Sequence, residues 1–87
     1  MKLAKVIGTV VATRKEDSLV GCKLMIIRRV NGKSEYIDSE EIAVDFVGAG
    51  IGDIVLIAQG SAVRMDPRRK EAMIDMAIIG IIDAIDI

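Results

Sequence analysis

The sequence contains no histidine and no tryptophan, and its 87 residues include one cysteine, one proline and two aromatic side chains, Tyr36 and Phe46. Histidine is the commonest general base and metal ligand, so its absence removes the usual centre of an active site. Cys22 has neither an imidazole to activate it nor a second cysteine with which to form an internal disulfide. The composition therefore predicts a protein without catalytic residues, cofactor or bound metal.

The sequence also has no large excess of charge of either sign. Its 12 basic residues are interspersed with 13 acidic ones, and the net charge is −1. Small β-barrels that hold single-stranded nucleic acid use a basic groove and stacked aromatic rings. The residues that favour such a module here are Arg28, Arg29 and Tyr36. We expect no nucleic-acid partner. An OB-type single-stranded nucleic-acid-binding module is nevertheless kept as a second hypothesis for the function.

Long hydrophobic runs are missing as well. The longest uncharged apolar run covers residues 76–82, whereas a spanning helix needs about 20 residues. The first residues loosely mimic a signal peptide, but the apolar stretch over residues 6–12 is β-branched and interrupted by Gly8 and Thr9. We expect no membrane partner and a cytoplasmic location.

Aliphatic surface is what the chain has in excess. Hydrophobic residues make up 52% of the sequence, and nearly all of them are Ile, Val, Ala, Leu or Met. Residues 1–87 form one domain, and a chain of this length hides only about 60–65% of its unfolded surface by folding alone. The excess predicts burial at contacts between subunits.

Apolar and polar residues alternate in a pattern typical of an all-β protein. Strands are predicted over residues 3–13, 22–30, 33–37, 42–46, 54–58 and 76–83. Asn31-Gly32 predicts a type I′ hairpin turn, and residues 38–40 a polar break. Residues 61–65 predict one helical turn, which Asp66-Pro67 ends. Five to six strands with one short helical turn before the last strand suit a small OB-fold-like antiparallel β-barrel.

The chain is organised around residues 44–64, where a predicted strand runs into Gly48, Gly50, Gly52 and Asp53 and a buried strand follows. Alternate glycines allow a positive φ or a close backbone approach, so we predict a tight turn. If Gly50 needs a positive φ, Gly50→Val should cost about 1–3 kcal/mol. A phosphate cradle is excluded, because the third glycine comes one residue early for the dinucleotide motif and no helix follows.

The first and last strands are predicted to be apolar on both faces. In the first strand the even positions share one small, apolar face, and the odd positions are also partly apolar. The isoleucines of the last strand cannot all face one interior, because neighbouring residues alternate. One pair of them should meet a neighbouring subunit or the helical turn. The candidate subunit interface therefore comprises Ile7, Val11, Ile78, Ile79, Ile81 and Ile82.

Four stretches, taken in order, resemble a known family. They are MKLAKVIGTVVAT at residues 1–13, LVGCKL at 19–24, VDFVGAGIGDIVL at 44–56 and AIIGIID at 77–83, with Gly60-Ser61-Ala62 and Arg64 between the last two. The set spans nearly the whole chain and resembles the EutN/CcmL family, the vertex proteins of bacterial microcompartment shells. The chain departs from that family at residues 72–75, where a proline is common, and at Val63, where a smaller residue is common.

The resemblance implies an OB-like β-barrel that forms a homopentamer and closes the corners of a shell among hexameric shell proteins. It implies a location in the cytoplasmic microcompartment shell and no catalytic residues. It leaves the glycine turn either at a subunit contact or inside the subunit. It places Ser61, Ala62 and Arg64 in the helical turn or near the axis of the ring, and for Ser61 we favour a capping role. The number five comes from the family alone.

Overall fold

The structure is a computed structural model, and it describes residues 1–11, 23–60 and 75–86. Its five strands are β1 (Lys2–Val10), β2 (Lys23–Val30), β3 (Tyr36–Asp45), β4 (Ile54–Gln59) and β5 (Met76–Ile81). They form a closed barrel in the order β1-β2-β3-β5-β4, in which β4 pairs back onto β1. The predicted all-β barrel is confirmed. The helical turn predicted for residues 61–65 lies outside the described residues.

One seam of the barrel is parallel. Val44 and Asp45 of β3 lie opposite Ala77 and Ile78 of β5 in parallel register, while the other four pairings are antiparallel. A closed ring of five strands cannot alternate direction all the way round, so one neighbouring pair must run the same way. The expectation of a wholly antiparallel barrel is therefore wrong at this seam.

The predicted third and fourth strands are one strand, because residues 38–40 continue β3 with exposed side chains. Arg28 of β2 lies opposite Glu40, whereas Val30 lies opposite Tyr36, so two steps along β2 correspond to four along β3. The polar stretch that suggested a break therefore marks a β-bulge.

The hairpin between β2 and β3 turns at Asn31, as predicted, but with a different turn. Asn31 donates its N–H to the Glu35 carbonyl (2.9 Å), and Ser34 donates to the Asn31 carbonyl (2.9 Å). The positive φ falls on Ser34, at 62°, and not on Asn31 or Gly32. The side-chain Oδ1 of Asn31 accepts the N–H groups of Lys33 (2.9 Å) and Glu35 (3.0 Å). This Asx arrangement keeps Asn31 at the first turn position, so the loop has three residues and the type I′ prediction is wrong.

Inward-facing aliphatic side chains from all five strands fill the barrel. This core consists of Ala4, Val6, Met25, Ile27, Ala43, Ala49, Val55, Ile57 and Ile78. A second cluster of Val44, Ala58 and Ala77 packs with Leu24, Phe46 and Ile79. Val44 directly follows an inward-facing residue of β3, and Ala77 directly precedes one of β5. Both therefore point to the outer side. The strands thus bury side chains on both faces.

β1 changes face part-way along its length. Val6 lies opposite Ile27, but Gly8 lies opposite Ile26, so Ile7 is an extra residue in β1. Residues directly opposite each other share a face, which places Val6 inward and Gly8 outward. The prediction that the even positions of this strand share one face holds as far as Val6 and is wrong beyond it, because the bulge shifts the alternation by one.

Candidate functional site

The connection between β3 and β4 contains the predicted glycine turn. Asp53 donates its N–H to the Gly50 carbonyl (3.1 Å), and the Asp53 carboxylate Oδ2 accepts the Gly50 N–H (2.8 Å). Gly52 has a φ of 95° at the third turn position, as a type II turn requires. Gly48 also has a positive φ, at 79°, and Gly50 does not. Gly50 is the first residue of the turn and needs no positive φ, so the condition for a strain cost at this position is not met.

Backbone hydrogen bonds fasten this turn to β1. Gly52 donates to the Val6 carbonyl (2.8 Å), and Val6 donates to the Asp53 carbonyl (3.0 Å). These bonds continue the β1–β4 ladder beyond its last strand pair, Lys5 with Ile54. Ile51 is at the apex of the turn and is 68% exposed. The turn therefore holds an aliphatic side chain in solvent on a firmly attached backbone.

A buried carboxylate shapes the residues that lead into the turn. The Oδ1 atom of Asp45 accepts the N–H groups of Val47 (3.0 Å) and Gly48 (3.1 Å). Its Oδ2 atom lies 3.6 Å from the Lys23 ammonium, which donates a hydrogen bond to the Ala49 carbonyl (3.2 Å). The Asp45 side chain is fully buried, and Ala49 belongs to the barrel core. These contacts fix the loop from residue 46 to 49 in one shape.

The outer face of β1, β2 and β3 carries aliphatic side chains. Gly8 lies opposite Ile26 and Ile26 opposite Ile42, while Val10 lies opposite Leu24 in the next row. A Cβ atom on Gly8 would lie 3.3 Å from Ile26 Cδ1, so the glycine leaves room for that side chain. Ile42 is 51% exposed although it lies within the sheet. We call these five residues the outer strip, and contiguous apolar surface of this kind indicates a binding surface.

The isoleucines of the last strand are divided between the two sides of the barrel. Ile78 lies opposite Ile57 on the inner side and is fully buried, so it has no surface to offer a neighbouring subunit and its interface assignment is wrong. Ile79 is an extra residue in β5 and packs against the outer cluster. Ile81 is 40% exposed, and Ile82 is half-buried where the chain leaves the sheet.

The other two predicted interface residues lie at the bulge of β1 and directly after the end of that strand. Ile7 is half-buried within the bulge, and Val11, which directly follows β1, is exposed. Both remain candidates for a subunit contact. Ser61, Ala62 and Arg64 lie outside the described residues.

A cleft separates the hairpin loop from the residues that follow β5. It has a volume of about 310 Å³. Its lining includes Lys33, Ser34, Ile54, Ile82, Asp83 and Ile85. We call it the hairpin cleft. Sequence reasoning missed it, because it brings together three segments that are far apart along the chain.

The residues that favoured nucleic-acid binding are engaged with their neighbours. The Arg28 guanidinium lies 4.4 Å from the centroid of the Tyr36 ring, and its Nε donates to the Asp38 carbonyl (2.6 Å). Arg29 forms an ion pair with the Asp38 carboxylate at 2.7 Å. These contacts cover the Tyr36 ring, the described ring that could stack on a base at this site, and the Asp38 carboxylate neutralises the charge of Arg29.

In residues 1–11, 23–60 and 75–86 no three His, Cys, Asp or Glu side chains are grouped so that they could hold a metal ion. The same ranges contain no helix of the length and apolarity needed to cross a membrane.

Residues 1–83 match the family described as ethanolamine utilisation protein EutN/carboxysome. The chain is also 44% identical over 89 residues to the bacterial microcompartment shell vertex protein PduN of Salmonella typhimurium, with 98% of each protein covered. The chain belongs to the EutN/CcmL family. The resemblance seen in the sequence is therefore confirmed.

Solved structures of EutN/CcmL proteins share the barrel. The GrpN pentameric microcompartment shell protein from Rhodospirillum rubrum is 42% identical with a TM-score of 0.89, covering 100% of this chain and 98% of its own. CcmL of Gloeobacter violaceus is 36% identical with a TM-score of 0.93, covering 100% and 90%. The predicted class of function, a structural protein of a bacterial microcompartment shell, is confirmed. The alternative of a nucleic-acid-binding module has no support among these relatives.

Proposed function

We propose that this EutN/CcmL protein forms a homopentameric ring that closes a vertex of a microcompartment shell among hexameric shell proteins. In this role it needs no catalytic residue, cofactor or metal of its own. The observation that carries the proposal is the outer strip, because Ile42 is half exposed beside the other aliphatic residues of the strip. Burial of such a surface favours association.

The distribution of exposed aliphatic side chains favours a ring over a two-fold dimer. Ile42 is on β3, Ile51 is on the glycine turn, and Ile81 and Ile85 are at or beyond the end of β5. A two-fold dimer uses one patch twice, whereas a closed ring needs two different patches on each subunit. The number five is taken from the pentameric relative GrpN.

Several predicted residues extend the proposed contact surface. Ile7 lies in β1 and Val11 directly follows it, next to Gly8 and Val10 of the outer strip, and Ile79, Ile81 and Ile82 lie at the parallel seam and beyond it. The glycine turn is attached to β1 next to the bulge and adds Ile51 to this surface. For Ser61, Ala62 and Arg64 we keep the prediction of a position in a helical turn or near the axis of the ring.

Native mass spectrometry tests the ring directly. Wild-type protein should give a species of five 9.4 kDa chains, and a persistent monomer at micromolar concentration would contradict the proposal. The variant Ile42→Glu should dissociate, because it places a charge in the contact. Ile37→Glu is the matched control, since Ile37 is 50% exposed on the same strand but lies outside the outer strip. This control variant should remain a species of five chains.

The vertex role is tested with shells. Hexameric shell proteins assembled with the chain should give closed polyhedra in electron micrographs, and those assembled without it should give open or extended particles. Closed particles that form equally well without the chain would contradict the vertex role while leaving the ring intact.

A further inference from the structure

We propose that, in the ring of the proposed function, the hairpin cleft of one subunit receives the outer face of β3 from the next. The contact is centred on Ile42, and Lys33 of the cleft pairs with Glu40 of the neighbouring copy. This inference rests on the proposed ring and goes beyond it by naming the two surfaces that meet.

The chemistry of the hairpin cleft suits a small aliphatic group flanked by charges. Ile54, Ile82 and Ile85 contribute the larger apolar side chains of its lining, and its volume is about 310 Å³. Lys33 and Asp83 line it with charges of opposite sign. Among the described residues the ion pairs are Lys23 with Asp45 and Arg29 with Asp38, so within that part of the chain neither charge of the cleft forms an ion pair.

The outer face of β3 presents the complementary set. Ile42 is 51% exposed, and Glu40, two residues earlier, points to the same side of the strand. Glu40 is exposed and lies opposite Arg28 of β2, and with Ser39 these two residues line a shallow depression. An aliphatic centre, one acid and one base therefore face outward together.

Charge complementarity identifies the occupant of the cleft as a second copy of this chain. Lys33 can meet Glu40 of the neighbour while Asp83 meets Arg28 of the neighbour, and Ile42 enters between them. The two surfaces have no residue in common, so one subunit can use both at once. A contact of this head-to-tail type generates a ring when its rotation closes, and the charge pairs set its orientation.

Charge reversal tests the pairing. Lys33→Glu and Glu40→Lys should each raise the protein concentration at which half of the chains are in rings, by about tenfold or more at low salt. Each variant places two like charges together at the proposed contact between residues 33 and 40. The double variant Lys33→Glu/Glu40→Lys restores opposite charges at every contact and should return to within about threefold of the wild type. Lys2→Glu is the control, since it reverses an exposed lysine outside both surfaces. It should assemble normally, and the melting temperature of each variant verifies that it folds.

The outcomes separate this inference from the proposed ring. If wild-type rings form and the single reversals leave assembly unchanged, the pairing is overturned and the ring stands. Failure of the double variant to recover also overturns the pairing. If the single reversals leave the ring intact but abolish binding of a hexameric shell protein, the cleft receives that partner instead and the inference is wrong. A monomeric wild type removes the proposed function together with the inference.

Discussion

The two connections that flank β3 are held in place in different ways. The loop after β2 is fixed by Asn31 alone, whose backbone and side chain bond residues no more than four positions away, and most of the loop is exposed. The connection after β3 is fixed by Lys23, which is 26 residues from Ala49, and by the backbone of Val6. It also contributes Ala49 to the core.

This difference shows which of the two loops is coupled to the packing of the barrel core. The first loop could change conformation without moving a core residue, because its contacts begin and end within the hairpin. The second cannot, since any shift withdraws Ala49 from the interior and breaks bonds to β1 and β2. Substitutions in the second connection should therefore destabilise the whole domain more than substitutions in the first.

The largest effect is expected at Asp45. Asp45→Ala removes the acceptor of the Val47 and Gly48 N–H groups and the partner of Lys23, and it should lower the free energy of unfolding by about 2–3 kcal/mol. Asp45→Asn retains a side-chain oxygen in place and should lose less. Urea unfolding at one fixed protein concentration measures both, because assembly also contributes to apparent stability. An alanine variant as stable as the wild type would remove the distinction between the two loops.

A smaller effect is expected within the glycine turn. Gly52→Ala has no steric clash, since no atom lies within 4 Å of the added Cβ, but it forces a side chain onto a φ of 95°. The expected loss is about 1–2 kcal/mol. Gly50→Ala is the control, because its φ is not positive and its Cβ would lie at an ordinary 3.7 Å from Asp53 Oδ2. Thermal melts should separate the two variants, and equal melting temperatures would disprove the turn geometry.

The smallest effect is expected at Asn31. Asn31→Ala deletes the side-chain acceptor of the Lys33 and Glu35 N–H groups in an exposed loop, where water can replace it. The loss should be about 0.5–1 kcal/mol by urea unfolding. A loss as large as that of Asp45→Ala would mean that the hairpin loop supports the barrel after all.

Sequence patterns predicted the elements of this fold better than their registers. The alternation around Ile42 and the doubly apolar run after Asp53 located β3 and β4, and the glycines between them located the turn. Asn31-Gly32 gave the place of the hairpin but not its type, because Asn31 bonds its own neighbours and so occupies the first turn position. The positions of strands and turns are local properties, and local signals predicted these positions well.

The features that sequence missed depend on partners far along the chain. The bulges at Ile7 and Ile79 exist because opposing strands fix the neighbouring pairs, and nothing in the alternation of either strand marks them. Ile78 was assigned to a contact surface for that reason, although Ile57 meets it inside the barrel. The parallel seam follows from closing five strands into a ring, which no single segment specifies. The hairpin cleft likewise exists only once three distant segments meet.

The extra residue in β1 has a consequence for how this protein can vary. Deleting Ile7 would let β1 pair with β2 without a bulge, because Val6 already lies opposite Ile27 and Gly8 opposite Ile26, the next residue along β2. Gly8 and Val10 would then stay on the outer side and Val6 on the inner side. A chain that loses this residue would thus keep both the lining of the barrel and its exterior, whereas the loss of a residue from a regular part of the strand would exchange them on one side of the deletion.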